Sequence, residues 1–335
     1  MSEARKNAVR VCLSIPVAIL SLLFGCSQRQ PAVDMYLDAV MLRELGQNEL
    51  AVRKLNAVIA ADRGFALAYS ELGKAHEALG QDEKALAAFR QAAILDPWSF
   101  ENQMSLAGIC KKLGDHPEAA GAYARAVDLD AKSLDAMIGA AESYVQAGQY
   151  MKSLAYCEQA EQSGERLEEV LPLLARVYEG QNDYERAIQV HNRLLSLRGQ
   201  DADVLLALGL AYMKTGQNDE AREAMTSVTQ MRPNDGAAFR HLGYCLVKLG
   251  DVDEAIRIYQ RSIDLDGSDW EAHRGLGVAY MIKARQMADS RLQDQALQHW
   301  RRSLAIAPDQ PKHEVLKRLI LEHSALENPL QGLND

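Results

Sequence analysis

Residues 66–97 read ALAYSELGKAHEALGQDEKALAAFRQAAILDP, and this stretch decides the fold of the chain. Apolar residues recur at intervals of three and four on both sides of Gly80, a pattern typical of two amphipathic helices. Gly80 interrupts the pattern where a helix commonly ends, and Pro97 follows a second helix that it cannot extend. Asp82 occupies the expected N-cap of that second helix. The stretch therefore predicts a helix–turn–helix hairpin.

The same pattern returns with a period of 34 residues. A small residue follows each turn by five positions and a bulkier one by nine, as Ala85 and Phe89 do after Gly80. Gly73 and its small equivalents should let the paired helices approach closely, with the bulky residue filling the space between them. The residues at the turn position are Gly46, Gly80, Gly114, Gly148, Asn182, Gly216 and Gly250. Asn182 fits this set because asparagine tolerates a left-handed turn next best after glycine.

Both the period and the residue types resemble the tetratricopeptide repeat. The resemblance covers about residues 32–309 and implies an all-α fold, a right-handed solenoid in which neighbouring repeats bury each other's apolar faces. An amphipathic helix at 310–325, with Val315, Leu316, Leu319 and Ile320 on one side, is predicted to cap it, and 326–335 to be a flexible tail. Eight repeats are predicted to start near residues 32, 66, 100, 134, 168, 202, 236 and 270.

Two repeats depart from the pattern. The last one carries seven extra residues between Tyr280 and Ala296, which predicts two helices longer by one turn each, with Asp289 or Ser290 as the second N-cap. These residues form either a lengthened hairpin without a role of its own or a handle for a partner. At 161–172 the rhythm breaks. Because Pro172 disrupts a helix interior, the next helix is predicted to start near Leu171, and the junction to be a weak seam.

The first helix of each repeat lines the concave surface in this family, so the resemblance implies a partner-binding groove near the C-terminal end. Met and Tyr suit adaptable contacts with a peptide or helix, and Arg suits carboxylates. The alternative is that neighbouring repeats partly cover these apolar residues. The equivalent positions of the N-terminal half are more polar, as Lys74, Lys111 and Glu142 show. The predicted groove residues are Leu206, Leu210, Met213, Arg240, Tyr244, Val247, Arg274, Val278 and Met281.

The first 25 residues have the layout of a secretory signal: basic residues, then the apolar run VCLSIPVAILSLLF at 11–24, then Gly25. As a helix the run would span about 21 Å, less than the ~30 Å hydrocarbon core. Leu23 to Cys26 resembles a bacterial lipobox, which implies cleavage before Cys26, lipidation of its thiol, and a short linker at 26–31. An uncleaved anchor and a plain signal peptide remain alternatives. The resemblance implies a lipid-anchored protein facing the periplasm, with the outer membrane favoured because Ser27 follows.

The formal net charge is −9, and an acidic surface repels phosphate backbones, so nucleic acid is not an expected partner. Cys110, Cys157 and Cys245 are widely spaced, which favours buried thiols over a disulfide framework or a zinc site. GLGVAY at 275–280 lacks the third glycine of a dinucleotide loop and is interpreted as helix packing. The sequence therefore predicts a non-catalytic binding scaffold without a cofactor, metal or small-molecule substrate. The alternatives are a self-assembling envelope component and an inner-membrane assembly factor.

Overall fold

The computed structural model describes residues 30–325, and every regular element in this range is an α-helix. The predicted signal peptide at 1–25, Cys26, the first part of the predicted linker and the predicted tail at 326–335 lie outside the described residues. Consecutive helices pair as antiparallel hairpins. The helices are α1 (Gln30–Glu44), α2 (Asn48–Ala61), α3 (Ala66–Ala78), α4 (Asp82–Leu95), α5 (Phe100–Leu113), α6 (His116–Leu129), α7 (Leu134–Gln146), α8 (Tyr150–Gln162), α9 (Leu167–Gly180), α10 (Tyr184–Arg198), α11 (Ala202–Thr215), α12 (Asn218–Met231), α13 (Gly236–Leu249), α14 (Val252–Leu265), α15 (Trp270–Met287), α16 (Ser290–Ile306) and α17 (His313–Ala325).

The helices form two compact units, and the boundary falls after Gln162, within the junction that the sequence singles out. The first unit contains α1–α8 and the second α9–α17. Within each unit every hairpin packs on the next, which makes both units all-α solenoids of helical repeats. In the range 30–325 no helix is long and apolar enough to cross a bilayer.

Inside a hairpin, the close approach of the two helices depends on the small residues that the sequence predicts. A Cβ atom on Gly73 would lie 2.5 Å from two carbons of the Phe89 ring, so this ring occupies the space that any other residue would need. Phe89 is almost fully buried, and Ala85 lies beside it in the same core. The prediction that small and bulky residues interlock is therefore confirmed for this hairpin.

The turns within the hairpins use left-handed backbone conformations. Gly80 has φ +69° and Gly216 has φ +80°, and Asn182 takes the same conformation with φ +60°. This confirms the role predicted for Asn182. The predicted cap at Asp82 is wrong: Gln81 is the N-cap, without a side-chain hydrogen bond, and Asp82 begins the helix. The Asp82 carboxylate instead pairs with Lys112 of the next repeat, at 2.7 Å.

The predicted start of the helix after the junction is also wrong. α9 begins at Leu167 and contains Pro172 in its interior. Because proline has no N–H, the carbonyl of Glu168, four residues earlier, loses its usual intrahelical donor. The Arg198 guanidinium donates to that carbonyl instead, with Nη2 2.6 Å from the oxygen. A side chain from the partner helix of the hairpin thus compensates for the proline, which the sequence pattern alone does not reveal.

The extra residues of the last repeat lengthen both of its helices, as predicted. α15 has 18 residues and α16 has 17, whereas α13 and α14 have 14 each. Asp289 caps α16 by accepting a hydrogen bond from the backbone N–H of Arg291, at 2.8 Å. The longer helices extend the apolar surface on which α17 packs, where Leu316 and Ile320 are buried against Trp300.

The three described cysteines are buried and free, which confirms the structural interpretation. Burial raises the pKa of the Cys110 thiol to about 12 and the pKa values of Cys157 and Cys245 to about 11 each. These thiols therefore stay protonated near neutral pH and behave as small apolar groups.

Candidate functional site

A cavity of ≈ 640 Å³ opens on the second unit between α13 and α15. Residues four apart, such as Arg240 and Tyr244 on α13 or Arg274 and Val278 on α15, lie on one side of a helix, so both helices present a row of side chains to the cavity. Met213 of α11 and Tyr259 of α14 complete the lining. The full lining is Met213, Arg240, His241, Tyr244, Val247, Lys248, Tyr259, Glu271, Arg274, Gly275 and Val278.

The nine predicted groove residues do not all reach this cavity. Leu206 is half-buried against the core of the second unit, and Leu210 lines a separate depression of ≈ 200 Å³ beside Tyr184. Met281 is only 6% exposed and packs with Trp300 and Leu316, so it belongs to the core and not to the groove surface. The residues that do line the cavity are Met213, Arg240, Tyr244, Val247, Arg274 and Val278.

Other residues of the cavity lining are absent from the predicted groove set. Lys248 follows Tyr244 by four positions, so helical spacing could have added it to the predicted row. Tyr259 lies on the second helix of its repeat, at the bulky core position, where no pattern marks a residue as accessible. Its access to the cavity depends on the glycine at 275.

Arg240 is held by two carboxylates. Its Nη1 lies 2.7 Å from Asp269 and 2.9 Å from Glu271. The Asp269 side chain is nearly buried and also caps α15, because it accepts a hydrogen bond from the N–H of Ala272 at 2.9 Å. Removing Arg240 would leave this buried carboxylate without its cation, which is destabilising. Arg240 is therefore part of the structural framework of the cavity wall.

Arg274 and Lys248 differ from Arg240. The Arg274 guanidinium lies over the Trp270 ring, 4.8 Å from its centroid, and donates one hydrogen bond to the Pro311 carbonyl at 3.3 Å. The Lys248 ammonium lies 5.5 Å from the centroid of the Tyr244 ring. Within residues 30–325, neither cation forms an ion pair with a carboxylate. Both therefore keep charge available for a bound anion.

Tyr259 forms the floor of the cavity. Its ring passes between two glycines: a Cβ on Gly243 would lie 3.0 Å from the ring, and one on Gly275 would lie 2.6 Å from the hydroxyl oxygen. The residue is 3% exposed, and its hydroxyl has no hydrogen-bond partner among the described residues. Burial raises its pKa, so the hydroxyl stays protonated and can donate a hydrogen bond into the cavity.

A second depression of ≈ 320 Å³ continues from the first toward α17. The two share Arg274 and Val278, and Lys312 adds a third cation that forms no ion pair within the described range. Its other walls are mostly apolar, including the exposed Val315, which was predicted to lie on the packed side of the cap. We call the two depressions together the C-terminal groove.

In the first unit, the lysines at the positions equivalent to groove residues form ion pairs, within their own helix or with the neighbouring repeat. Lys74 Nζ lies 2.9 Å from Glu71 and 2.5 Å from Glu101, and Lys111 Nζ lies 2.5 Å from Glu142. Charges that pair within the protein attract a ligand less than free charges do. At these positions the two units therefore offer different surfaces, with free apolar side chains in the second unit and paired charges in the first.

Two histidines lie behind the groove wall. The Nδ1 atoms of His273 and His299 are 3.0 Å apart, and His273 Nε2 faces the Gly267 carbonyl at 3.3 Å. Since the Nε2–H of His273 donates to that carbonyl, Nδ1 of neutral His273 carries no proton. This Nδ1 therefore accepts a hydrogen bond from the Nδ1–H of His299. Burial first, and then His273, lower the pKa of His299 to about 4, and burial lowers the pKa of His273.

We expect this pair to make the second unit sensitive to acid. The pKa of His299 is lower in the folded chain than in the unfolded chain, so its stabilising contribution is complete above pH ~6.5 and declines as the pH falls toward 4. Urea unfolding at pH 7 and pH 5 should show a loss of about 1–2 kcal/mol from this site. His299→Gln should reduce the pH dependence by that amount, and an unchanged dependence would contradict the assignment.

Within residues 30–325, no three His, Cys, Asp or Glu side chains come close enough to hold a metal ion. The GLGVAY stretch lies inside α15, where a Cβ on Gly277 would lie 2.3 Å from Trp300. Gly277 therefore serves helix packing, as the sequence analysis predicts.

Stacked helical hairpins with an open groove define a class of repeat proteins that act as protein-binding scaffolds. The sequence identifies the member of this class: the tetratricopeptide repeat matches residues 111–167, 206–269 and 246–311, and two further forms of it match 66–97 and 171–205. The chain belongs to the tetratricopeptide repeat family. No curated protein matches its sequence.

Several solved structures align with this chain. The Naa15/Naa10 complex bound to HypK-THB aligns with a TM-score of 0.53 and 15% identity, over 91% of this chain and 58% of that one. A tetratricopeptide repeat protein from Parabacteroides merdae ATCC 43184 aligns with a TM-score of 0.46 and 14% identity, over 75% and 99%. YrrB, a repeat protein with an unusual peptide-binding site, aligns with a TM-score of 0.36 and 20% identity, over 72% and 99%. The likeness to the Naa15/Naa10 complex, at 15% identity, concerns the fold alone.

Proposed function

We propose that this protein is a lipid-anchored scaffold of a bacterial cell envelope, which holds a segment of a partner protein in the C-terminal groove. The repeat family supports the scaffold function, and the resemblance of Leu23 to Cys26 to a lipobox supports the anchor. The scaffold acts without catalysis or a cofactor: the groove binds its partner and the anchor fixes where binding takes place.

One observation carries the choice of the groove as the binding surface. In the second unit, apolar side chains such as Tyr244 and Val278 are more than a third exposed, and two cations beside them have no carboxylate partner among the described residues. In the first unit, Lys74 and Lys111 stand at the positions equivalent to Tyr244 and Val247, and both pair with carboxylates. Accessible apolar surface rimmed by charge is typical of protein interaction sites.

Site-specific photo-cross-linking in the producing cells tests this function. A photoreactive phenylalanine in place of Val247, inside the groove, should form adducts with a partner protein. The same group in place of Arg257, an exposed residue on α14 outside the groove lining, is the matched control and should form few. Equal adducts at both positions, or none at Val247, would contradict the groove.

A double variant then tests the side chains themselves. Tyr244→Ala with Val278→Asp removes an aromatic contact and places a charge in the apolar part of the groove. We expect adduct formation from Val247 to fall at least about fivefold, because truncating an aromatic anchor commonly costs more than 1 kcal/mol of binding free energy. Helical content should be unchanged, since both side chains are partly exposed. Arg240 is left intact so that Asp269 keeps its partner.

A further inference from the structure

The floor of the groove carries a hydroxyl group that has no hydrogen-bond partner among the described residues. Tyr259 is 97% buried, since only 3% of it is exposed, yet its hydroxyl has no hydrogen-bond partner among residues 30–325. The hydroxyl oxygen itself is not enclosed, because it is open to the cavity and can be hydrated there. The hydroxyl reaches the cavity because Gly275 lacks the Cβ atom that would stand 2.6 Å from it. The structure thus keeps a hydrogen-bond donor open toward the groove.

The cations around this hydroxyl are also unneutralised. Arg274 precedes Gly275 in the chain, and its guanidinium has a single hydrogen bond, to Pro311, among the described residues. Lys248 lines the first depression and Lys312 the second, and neither forms an ion pair in that range. The chain as a whole carries a net charge of −9, so a groove with three free cations is a local exception on an acidic protein.

The rest of the lining is mostly apolar, apart from the ion pair of Arg240 with Glu271. Val247 and Val278 flank the first depression, and Trp300 and Leu319 line the second. His241 adds no charge, because burial and the neighbouring Arg240 lower its pKa. A ligand that fills the groove should therefore combine an anionic group with an apolar group that packs against these side chains. A volume of ≈ 640 Å³ accommodates more than one side chain.

We propose that the C-terminal groove recognises a protein segment in which an Asp or Glu side chain stands next to a bulky apolar side chain. The carboxylate accepts hydrogen bonds from the Tyr259 hydroxyl and the Arg274 guanidinium, and the apolar side chain packs against Tyr244 and Val278. This inference rests on the proposed function and names the chemistry of the partner. Charge-assisted hydrogen bonds of this kind give both orientation and affinity.

Calorimetric titration of the full-length chain in mild detergent tests the proposal with three capped peptides. The first has two glutamates flanking a leucine–tyrosine pair, the second replaces the glutamates with glutamines, and the third replaces the apolar pair with serines. The acidic apolar peptide should bind at least about tenfold more tightly than either of the others, because a hydrogen bond to a charged group contributes roughly 1.5–3 kcal/mol. The advantage should shrink as salt is added.

Two conservative variants locate the carboxylate. Tyr259→Phe removes only the hydroxyl and keeps the buried ring, and Arg274→Gln removes the charge. Each should lower the affinity for the acidic peptide about tenfold and leave the affinity for the glutamine peptide unchanged. Arg257→Gln makes the same charge change outside the groove lining and should leave both affinities within about twofold.

The contrary outcomes are distinct. If the acidic and glutamine peptides bind equally and both lose affinity in the Tyr244→Ala, Val278→Asp variant, the proposed function stands and carboxylate recognition is overturned. If no peptide binds at millimolar concentration, this ligand class is overturned, and the cross-linking from Val247 still decides the function. A rise in affinity after Glu327→Gln and Asp335→Asn would assign the site to the chain's own tail. Self-association that competes with the peptide would assign it to a second copy.

Discussion

Gly73→Ala is expected to destabilise the first unit by about 2 kcal/mol, whereas Gly108→Ala is expected to stabilise it by up to about 1 kcal/mol. Both glycines lie inside the first helix of a repeat, and the chemical change is the same. At Gly73 the new Cβ would stand 2.5 Å from the buried Phe89 ring, so helix or ring must move. At Gly108 there is nothing within 4 Å, so only the higher helix propensity of alanine remains.

Urea unfolding monitored by circular dichroism measures the difference, which should amount to about 3 kcal/mol between the two variants. A third variant, Gly73→Ala with Phe89→Leu, should regain part of the loss, because the smaller side chain leaves room for the methyl group. If Gly73→Ala and Gly108→Ala change the free energy of unfolding alike, the helices do not approach each other as the structure shows. The comparison therefore tests the contact that defines the repeat.

The same contact shows why the fold could be predicted from the sequence. Gly73 has a small equivalent and Phe89 a counterpart at the facing position in every repeat, so the same packing contact recurs along the chain. The left-handed turn at Asn182 follows from this repetition, although the residue itself is not glycine. Such regularities depend on neighbours in sequence, which a pattern of fixed period captures.

The candidate site was predicted only in part, because it depends on single exceptions. Met281 occupies a groove position by count, but the cap α17 and the lengthened α16 bury it. The Tyr259 hydroxyl becomes accessible because one other residue, Gly275, lacks a side chain. Ion pairs between repeats, such as Lys74 with Glu101, depend on side-chain conformations. None of these contacts occurs in every repeat: the contact of Gly275 with Tyr259 recurs at Gly139 and Tyr123, four periods earlier, but the repeats between them have no glycine at that position.

Cys26→Ala is expected to abolish the incorporation of radiolabelled palmitate, with the label falling to background. The expectation follows from the proposal that the Cys26 thiol is the attachment point of the lipid, because alanine has no group that the lipid can be joined to. Membrane anchoring should be lost as well, since each buried CH₂ of an acyl chain contributes about 0.8 kcal/mol and stable anchoring takes two chains. The matched control is Cys12→Ala, the same substitution within the apolar run, which should keep the label. Persistence of the label in Cys26→Ala would refute the lipid anchor, and an N-terminal peptide from residues 1–25 in the mature chain would favour an uncleaved anchor.

A lipid on Cys26 also constrains the position of the first hairpin. α1 begins at Gln30, so the backbone from Cys26 to the helix reaches at most about 14 Å. A fluorescent amino acid at Leu37, a residue of α1 that is 56% exposed, should therefore be quenched by spin-labelled lipids in vesicles. The same group at Trp98, which is 81% exposed and lies between α4 and α5, should be quenched several-fold less. Equal quenching at both positions would contradict an anchor that holds the chain by its first hairpin, and in Cys26→Ala the difference should disappear.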